Sequence, residues 1–560
     1  MYSYIALLIS EIFLVIEHLF GDSVVVIEIN GTTILGQKLY TIFEYKPYVV
    51  FWEIPYAEQP VGAYTFKPPR EKKLCHESHY IYNRPYNDTC TSRSIKDCLY
   101  LSIYVPYQNE DSNLAVMVWL HEYSKDHGPD FLIDENVVVV TVSYRTSILG
   151  FLNTEDDFAR GNMGAKDILL ALKWVRENIV YFNGDPNRVT VIGSGIAANV
   201  VASFLISPIA EDLFTRAIIQ SGSALSPADY RFHNFDILNK LYCNFYGAFE
   251  KFNRTRLYDR LLNATDRELA SVSRGIYDST EVRNNQRLIN TFGNTVEING
   301  QGAFMDETPI MKYTKGFINQ GVDVMIGYNS LESIYKLEGL ANNKNLLKHL
   351  NYNFQYLLPF EGKKDEYGSK KYKKIRRKIM DFYFVNGTIG ERSLRRYAKY
   401  LSDQVIYPVL RQARLHSKRS SNHVYLYRFA FQGSLNAVWS STLSKLRFNG
   451  ATSGDEICYQ FRCKSLEHAY IATEATFERY FIKKIARLLA NFAKYGNPTP
   501  EPESEILGLK WEPLISKGPF RGVNLGGTIK TVNLPERKRI EFWDQLRKEF
   551  FGNEEAEEEI

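Results

Sequence analysis

The sequence has little net charge for its size: 68 lysines and arginines stand against 64 aspartates and glutamates, leaving +4 over 560 residues. With no overall field to draw it to a polyanion, it does not read as a nucleic-acid-binding protein. It has no CxxC pair and no cysteine–histidine spacing of the zinc-site kind, so neither a metal nor a cofactor is expected. After the first 21 residues there is no uninterrupted apolar run of about 18 residues, which excludes a stop-transfer helix or a lipid-anchor tail. Glycine (35) and proline (20) show no period, excluding collagen-like and low-complexity classes, while Tyr (38) and Phe (34) are too numerous for a disordered chain. No internal repeat and no Gly/Ser- or Pro-rich linker divides the sequence.

What is present begins with MYSYIALLISEIFLVIEHLFG (residues 1–21), an apolar stretch of signal-peptide length followed by the small residues Gly21 and Ser23. It lacks the usual early Lys or Arg and carries Glu11 and Glu17, which a membrane-spanning helix tolerates poorly. It reads as a cleaved signal, so the mature protein is expected to be secreted, extracellular, soluble and not membrane-spanning. Five Asn-X-Ser/Thr sequons, at Asn30, Asn87, Asn253, Asn263 and Asn386, fit that route as glycosylation sites. Six cysteines, at 75, 90, 98, 243, 458 and 463, are expected to form disulfides, with 15 complete pairings open to them.

From Ala115 onward, short runs rich in branched residues alternate with helical patterns: AVMVWL (115–120), VVVVTVSY (137–144), RVTVIG (188–193), TRAIIQSG (215–222) and VDVMIGYN (322–329). Such runs fit buried parallel strands. Between them DILLALKWVREN (167–178) spaces its apolar residues at helical intervals, so the pattern reads as repeated βα units. A long final helix is expected from about His468 to Tyr495, stopped by Gly496, Asn497 and Pro498.

Several segments carry a family resemblance. FWEIPYAEQPVGAYTFKPP (51–69) and IKDCLYLSIYVP (95–106) resemble the N-terminal segment and cysteine signature of the type-B carboxylesterase and cholinesterase family. Colinear matches continue through GNMGAKDILLALKWVRENIVYFNGDPNRVTVIG (161–193), LFTRAIIQSGSALSP (213–227), GYNSLES (327–333) and FNGATSGDEI (448–457). The resemblance implies an α/β-hydrolase fold, a large mostly parallel central sheet flanked by helices, with residues 22–550 as one domain and 551–560 as an acidic tail. It also implies a Cys90–Cys98 disulfide. Cys458–Cys463 fits as a second bridge, and Cys75–Cys243 follows only by elimination.

The resemblance also says which residues hydrolysis needs: a nucleophile, a base, an acid that orients the base, and backbone donors for the oxyanion. The nucleophile elbow is G-x-S-x-G, and this chain has Gly193, Ser194, Gly195, Ile196 and Ala197, so Gly195 stands at the serine position without an attacking oxygen. The neighbouring Ser194 is out of register with such a turn. The base belongs to G-V-x-H-G-x-E, matched by Gly450 to Glu456 with Ser453 in place of histidine. The oxyanion glycines that follow a strand-end histidine, here His121, are replaced by Glu122 and Tyr123, one of the wrong charge and the other bulky. Only the acid, Glu332, is kept, and without its histidine it reads as a structural carboxylate. Around these positions Thr65, Lys96 and Glu53 replace residues of the family pattern, whereas Arg145 and Asp167 preserve a pair expected to bridge.

One surface feature stands apart from the scaffold. KKYKKIRRK (370–378) places Lys370, Lys371, Lys373, Lys374, Arg376, Arg377 and Lys378 on a helix, with Tyr372 and Ile375 at the spacing of a buried edge. It reads either as a solvated face or as an anion-binding one for a sulfated glycan or an acidic extracellular protein surface. The chain resembles the non-catalytic cholinesterase-like group, typified by glutactin, neurotactin and neuroligin, whose esterase-like domains serve adhesion or matrix association. Two alternatives are an extracellular carrier that holds an apolar ligand in the former active-site gorge, and an ester hydrolase with rearranged catalytic residues.

Overall fold

The computed structural model describes residues 24–72, 98–107, 113–120, 127–226, 234–274, 276, 291–298, 302–337, 343–352, 354, 368–390, 393–436, 448–472 and 476–551. The apolar stretch 1–21, Cys75, Asn87, Cys90, Lys96, His121, Glu122, Tyr123 and the acidic run after Phe551 lie outside the described residues.

The described residues form fourteen strands, in chain order β1 (Val24–Ile29), β2 (Thr32–Tyr40), β3 (Pro47–Pro55), β4 (Tyr100–Pro106), β5 (Leu114–Leu120), β6 (His127–Gly128), β7 (Val138–Val142), β8 (Gly184–Ser194), β9 (Arg216–Gln220), β10 (Asp323–Asn329), β11 (Val424–Phe429), β12 (Arg462–Cys463), β13 (Arg521–Leu525) and β14 (Lys530–Asn533). All but β6 and β12 join one sheet of order β1-β2-β3-β4-β7-β5-β8-β9-β10-β11-β13-β14. Its centre, from β7 to β13, is parallel throughout, and its margins are antiparallel. The five runs expected as parallel strands are all central members, β5, β7, β8, β9 and β10.

These runs are apolar throughout because both faces of the sheet are covered. Alternation sends Val116, Val118 and Leu120 of β5 into one core cluster and Ala115, Met117 and Trp119 into the other. The first cluster is closed by helices α1 (Met163–Asn178), α2 (Ile196–Phe204), α3 (Lys370–Tyr383), α4 (Leu394–Arg419) and α6 (Arg537–Phe551), the second by α5 (Phe477–Tyr495). Among the described residues no helix is long and apolar enough to cross a membrane.

The expected helix over 468–495 is divided. A short helix, Glu467–Ala472, precedes α5, whose N-cap Thr476 is extended at φ −107° and ψ 165°, so the helix cannot run through it. Nor is α5 the last helix, since α6 follows β13 and β14.

The retained pair forms as expected. Asp167, near the start of α1, receives Nε of Arg145 at 2.8 Å and Nη2 at 2.6 Å, and both residues are buried. The remaining guanidinium nitrogen donates to the carbonyls of Thr65 at 3.0 Å and Lys67 at 2.8 Å, tying the 65–67 segment to the sheet. Glu53, where the family has glycine, sits at φ +50° on a bulge of β3 between Phe51 and Ile54. A side chain there is strained, which accounts for glycine as the ordinary choice.

Candidate functional site

The parallel strands end on one edge of the sheet, and loops leaving that edge carry every catalytic position named above that the structure describes. In doubly covered sheets this carboxyl edge is where ligands bind. β8 ends at Gly193 and Ser194, and Gly195 then turns the chain sharply into α2 at φ +60° and ψ −120°. The turn is tight because a Cβ on Gly193 would lie 2.8 Å from the backbone of Ala197. Gly195 itself is exposed, and a Cβ built on it meets nothing within 4 Å. The turn is therefore sharp, faces open space among the described residues, and carries no hydroxyl.

Ser194 does not substitute for one. Its hydroxyl donates to Oε1 of Gln220 at 2.6 Å, and Gln220 Nε2 in turn donates to Oε1 of Gln460 at 2.8 Å. The side chain is anchored between the ends of β8 and β9, in a chain that reaches the helix just after Glu456.

Glu332 and Ser453, far apart in sequence, meet. Glu332 lies in the turn after β10, fully buried, with Oε1 accepting from the Asn329 amide at 2.6 Å and Oε2 accepting from the Ser453 hydroxyl. Burial pushes its carboxyl above the ordinary range, opposed by hydrogen bonds from Ser221, Ser453 and Asn329. A second carboxyl is held close by. Asn329 Nδ2 donates to Ser221 Oγ at 3.0 Å and to Oε2 of Glu456 at 2.7 Å, and the Gly454 amide also donates to that oxygen at 3.1 Å. Burial, reinforced by the charge of Glu332, pushes Glu456 up to about 8. The cluster is thus a pair of buried acids stitched by Asn329, containing no histidine.

Among the described residues, neither His416 nor His468 lies at Ser453. His416 is buried on α4, edge-on to Tyr313 at 6.3 Å, with burial holding it neutral down to about pH 4 and with neither ring nitrogen hydrogen-bonded. His468 is exposed on the short helix before α5. The residues expected at the oxyanion site directly follow Leu120, whose register partner is Gly193, but they fall outside the described residues.

Fold comparison places the molecule. A crystal structure of juvenile hormone esterase from Manduca sexta, with OTFP covalently attached, superposes with a TM-score of 0.77 over 94% of this chain and 100% of that one, at 23% identity. The sequence model of the carboxylesterase family matches residues 23–543. The chain belongs to the carboxylesterase family. Relatives include the juvenile hormone esterase of Tribolium castaneum, 27% identical over 83% of each chain. Neuroligin-3 of Mus musculus is 28% identical over 80% of this chain and 59% of its own length. This carboxylesterase-family chain therefore has both named esterases and a neuroligin among its relatives.

The remaining sequence-identified residues are placed as follows. Asn30, Asn253, Asn263 and Asn386 are all exposed, Asn253 as the cap of a helix whose Arg256 amide it accepts. Cys458 and Cys463 are bonded to each other, as expected. Their sulfurs and His127 lie within 4.8 Å of one another, but two bonded sulfurs offer a metal no thiolate. Cys98 is disulfide-bonded, its partner lying outside the described residues. The Cys75–Cys243 pairing is corrected: Cys243, on the helix Asn234–Tyr246, is a free thiol. Elimination failed because it assumed that every cysteine pairs.

The basic run forms α3 with Tyr372 and Ile375 buried and Lys370, Lys371, Lys373, Lys374, Arg377 and Lys378 exposed. Arg376 departs from the expected face, being half-buried with Nη2 donating to the Asn351 carbonyl at 2.6 Å. Sequence reasoning missed Asn329, Ser221 and Gln220. Their signal was positional: each stands at or just past the end of a strand the sequence did mark.

Proposed function

We propose that this carboxylesterase-family protein performs no ester hydrolysis and acts as a secreted, extracellular interaction module of the adhesion or matrix type. The observation that supports it most is Gly195, an elbow with the backbone of a nucleophile turn and no oxygen to attack with. Ser453 adds to this, because a hydroxyl donating to Glu332 is no proton acceptor near neutral pH. The presence of a neuroligin among the relatives fits a frame used for contacts rather than turnover. The exposed sequons and the apolar leader fit passage through a secretory route.

The partner surface proposed is the exposed face of α3, for a sulfated glycan or an acidic extracellular protein. The carrier reading keeps one specific support, the space before Gly195 that no described residue fills. Exposure of the purified protein to an activated organophosphonate, followed by intact-mass measurement, tests the main reading. No adduct and no ester turnover are expected, and a stoichiometric adduct on Ser194 overturns it. A tightly held apolar molecule found by mass spectrometry in the same preparation favours the carrier.

A further inference from the structure

The cations of α3 are badly placed for the helix that holds them. Lys370, Lys371 and Lys373 occupy its first turn, where the helix dipole is positive, and no acidic residue shares that turn. Lys370 and Lys374, Lys373 and Arg377, and Lys374 and Lys378 are like-charge pairs four residues apart. An anion at this end of the helix relieves both repulsions.

α6 runs antiparallel along α3 and brings the chain to that end. Trp543 Nε1 donates to the Tyr383 hydroxyl at 2.8 Å, and Phe542 stacks on Phe382 at 3.9 Å between ring centroids. Further along, Glu549 pairs with Lys378, and at the end of α6 the ammonium of Lys371 sits 4.3 Å from the ring centroid of Phe551. Each step toward the C-terminus of α6 is a step toward the N-terminus of α3. The next nine residues are GNEEAEEEI, with five glutamates.

We infer that residues 552–560 dock on the exposed N-terminal half of α3, through Glu554, Glu555, Glu557, Glu558 and Glu559 against Lys370, Lys371, Lys373, Lys374 and Arg377, and so act as a built-in competitor for an external polyanion. The reach suffices: eight extended residues span roughly 26 Å, and the 14 residues of α3 rise about 21 Å. The competitor part rests on the proposed anion-binding role of α3, and the docking part does not.

Zero-length carbodiimide crosslinking with peptide mapping on the full chain, and heparin elution of the full chain beside a chain ending at Gly552, test the two parts. A third protein carrying Glu→Gln at 554, 555, 557, 558 and 559 keeps the length of the tail. Expected are intramolecular crosslinks from the tail to Lys370–Lys374 that vanish in high salt, and elution of both altered proteins at higher salt than the full chain. Absence of those crosslinks, or their recovery only in a covalent dimer, overturns the docking. Equal elution of all three overturns the competition. Crosslinks in a protein that fails to bind heparin in any form uphold the docking and remove the anion-binding reading of α3 instead.

Discussion

The Ser453 hydroxyl donates to Oε2 of Glu332, so the residue at the position of a base is the proton donor to the residue at the position of the acid. The direction of that hydrogen bond is the one a triad uses between base and acid, but a hydroxyl, unlike an imidazole, has no second basic atom to take a proton from the elbow near neutral pH, so the relay stops at Ser453.

A serine and a histidine placed at these two positions are not expected to create an esterase. Gly195→Ser combined with Ser453→His is expected to give ester turnover far below that of an ordinary hydrolase, because Glu122 and Tyr123 match in sequence the glycines that the family resemblance assigns to the oxyanion site. Turnover of a nitrophenyl ester by the double variant at ordinary enzyme rates would show that donors are in place after all.

The buried acid pair makes stability depend on pH. Glu456 titrates at about 8 in the folded chain and near the ordinary 4.5 when unfolded. Its favourable contribution is therefore complete below about pH 4.5 and declines as pH rises toward 8, at up to roughly 1.4 kcal/mol per pH unit. Glu456→Gln removes this titration. Melting temperatures of the variant and the parent should move apart in the variant's favour between pH 5 and pH 8, and parallel curves would contradict the assignment.

Arg145→Met leaves Asp167 buried without its cation and is expected to cost about 3–5 kcal/mol in chemical unfolding. Pairing it with Asp167→Leu should recover much of that loss. A single substitution that proves neutral would mean that the bidentate contact contributes little.

Peptide mapping without reduction should find Cys458 with Cys463, Cys98 with Cys90, and Cys243 open to alkylation. Loss of the Cys98 bridge should cost on the order of 2 kcal/mol or more by freeing the unfolded chain. Cys98 found joined to Cys75 would refute the assignment of its partner.

On heparin the protein should be retained more strongly than a net charge of +4 suggests, with retention falling steeply in salt as exposed charges are screened over about 10 Å at 0.1 M. Replacing Lys373, Lys374 and Arg377 by Gln should abolish retention while changing stability by no more than about 0.5 kcal/mol each. Arg376 is left in place because its guanidinium holds the Asn351 carbonyl. Unchanged retention would make α3 an ordinary solvated face.

The central strands were legible because each lies within a branched local run, for β5, β7, β8, β9 and β10, and the sharp turn at Gly195 was legible because a short local motif marks it. The role of Asn329 was not, because its two acceptors, Ser221 and Glu456, are 108 and 127 residues away and converge only when β9, β10 and the 450–456 loop reach one sheet edge. Thr476 hid the break before α5 for a different reason. Its extended backbone is a choice between two helices of acceptable composition, which apolar periodicity alone does not register.

The left-handed turn at Gly195 gives the site a conformational bias. Glycine adopts φ +60° and ψ −120° freely, whereas a serine there carries strain of order 1–3 kcal/mol. Exchange of serine for glycine at this turn therefore relieves backbone strain, and the reverse exchange reinstates it. Glycine is thus the conformationally relaxed choice at this elbow.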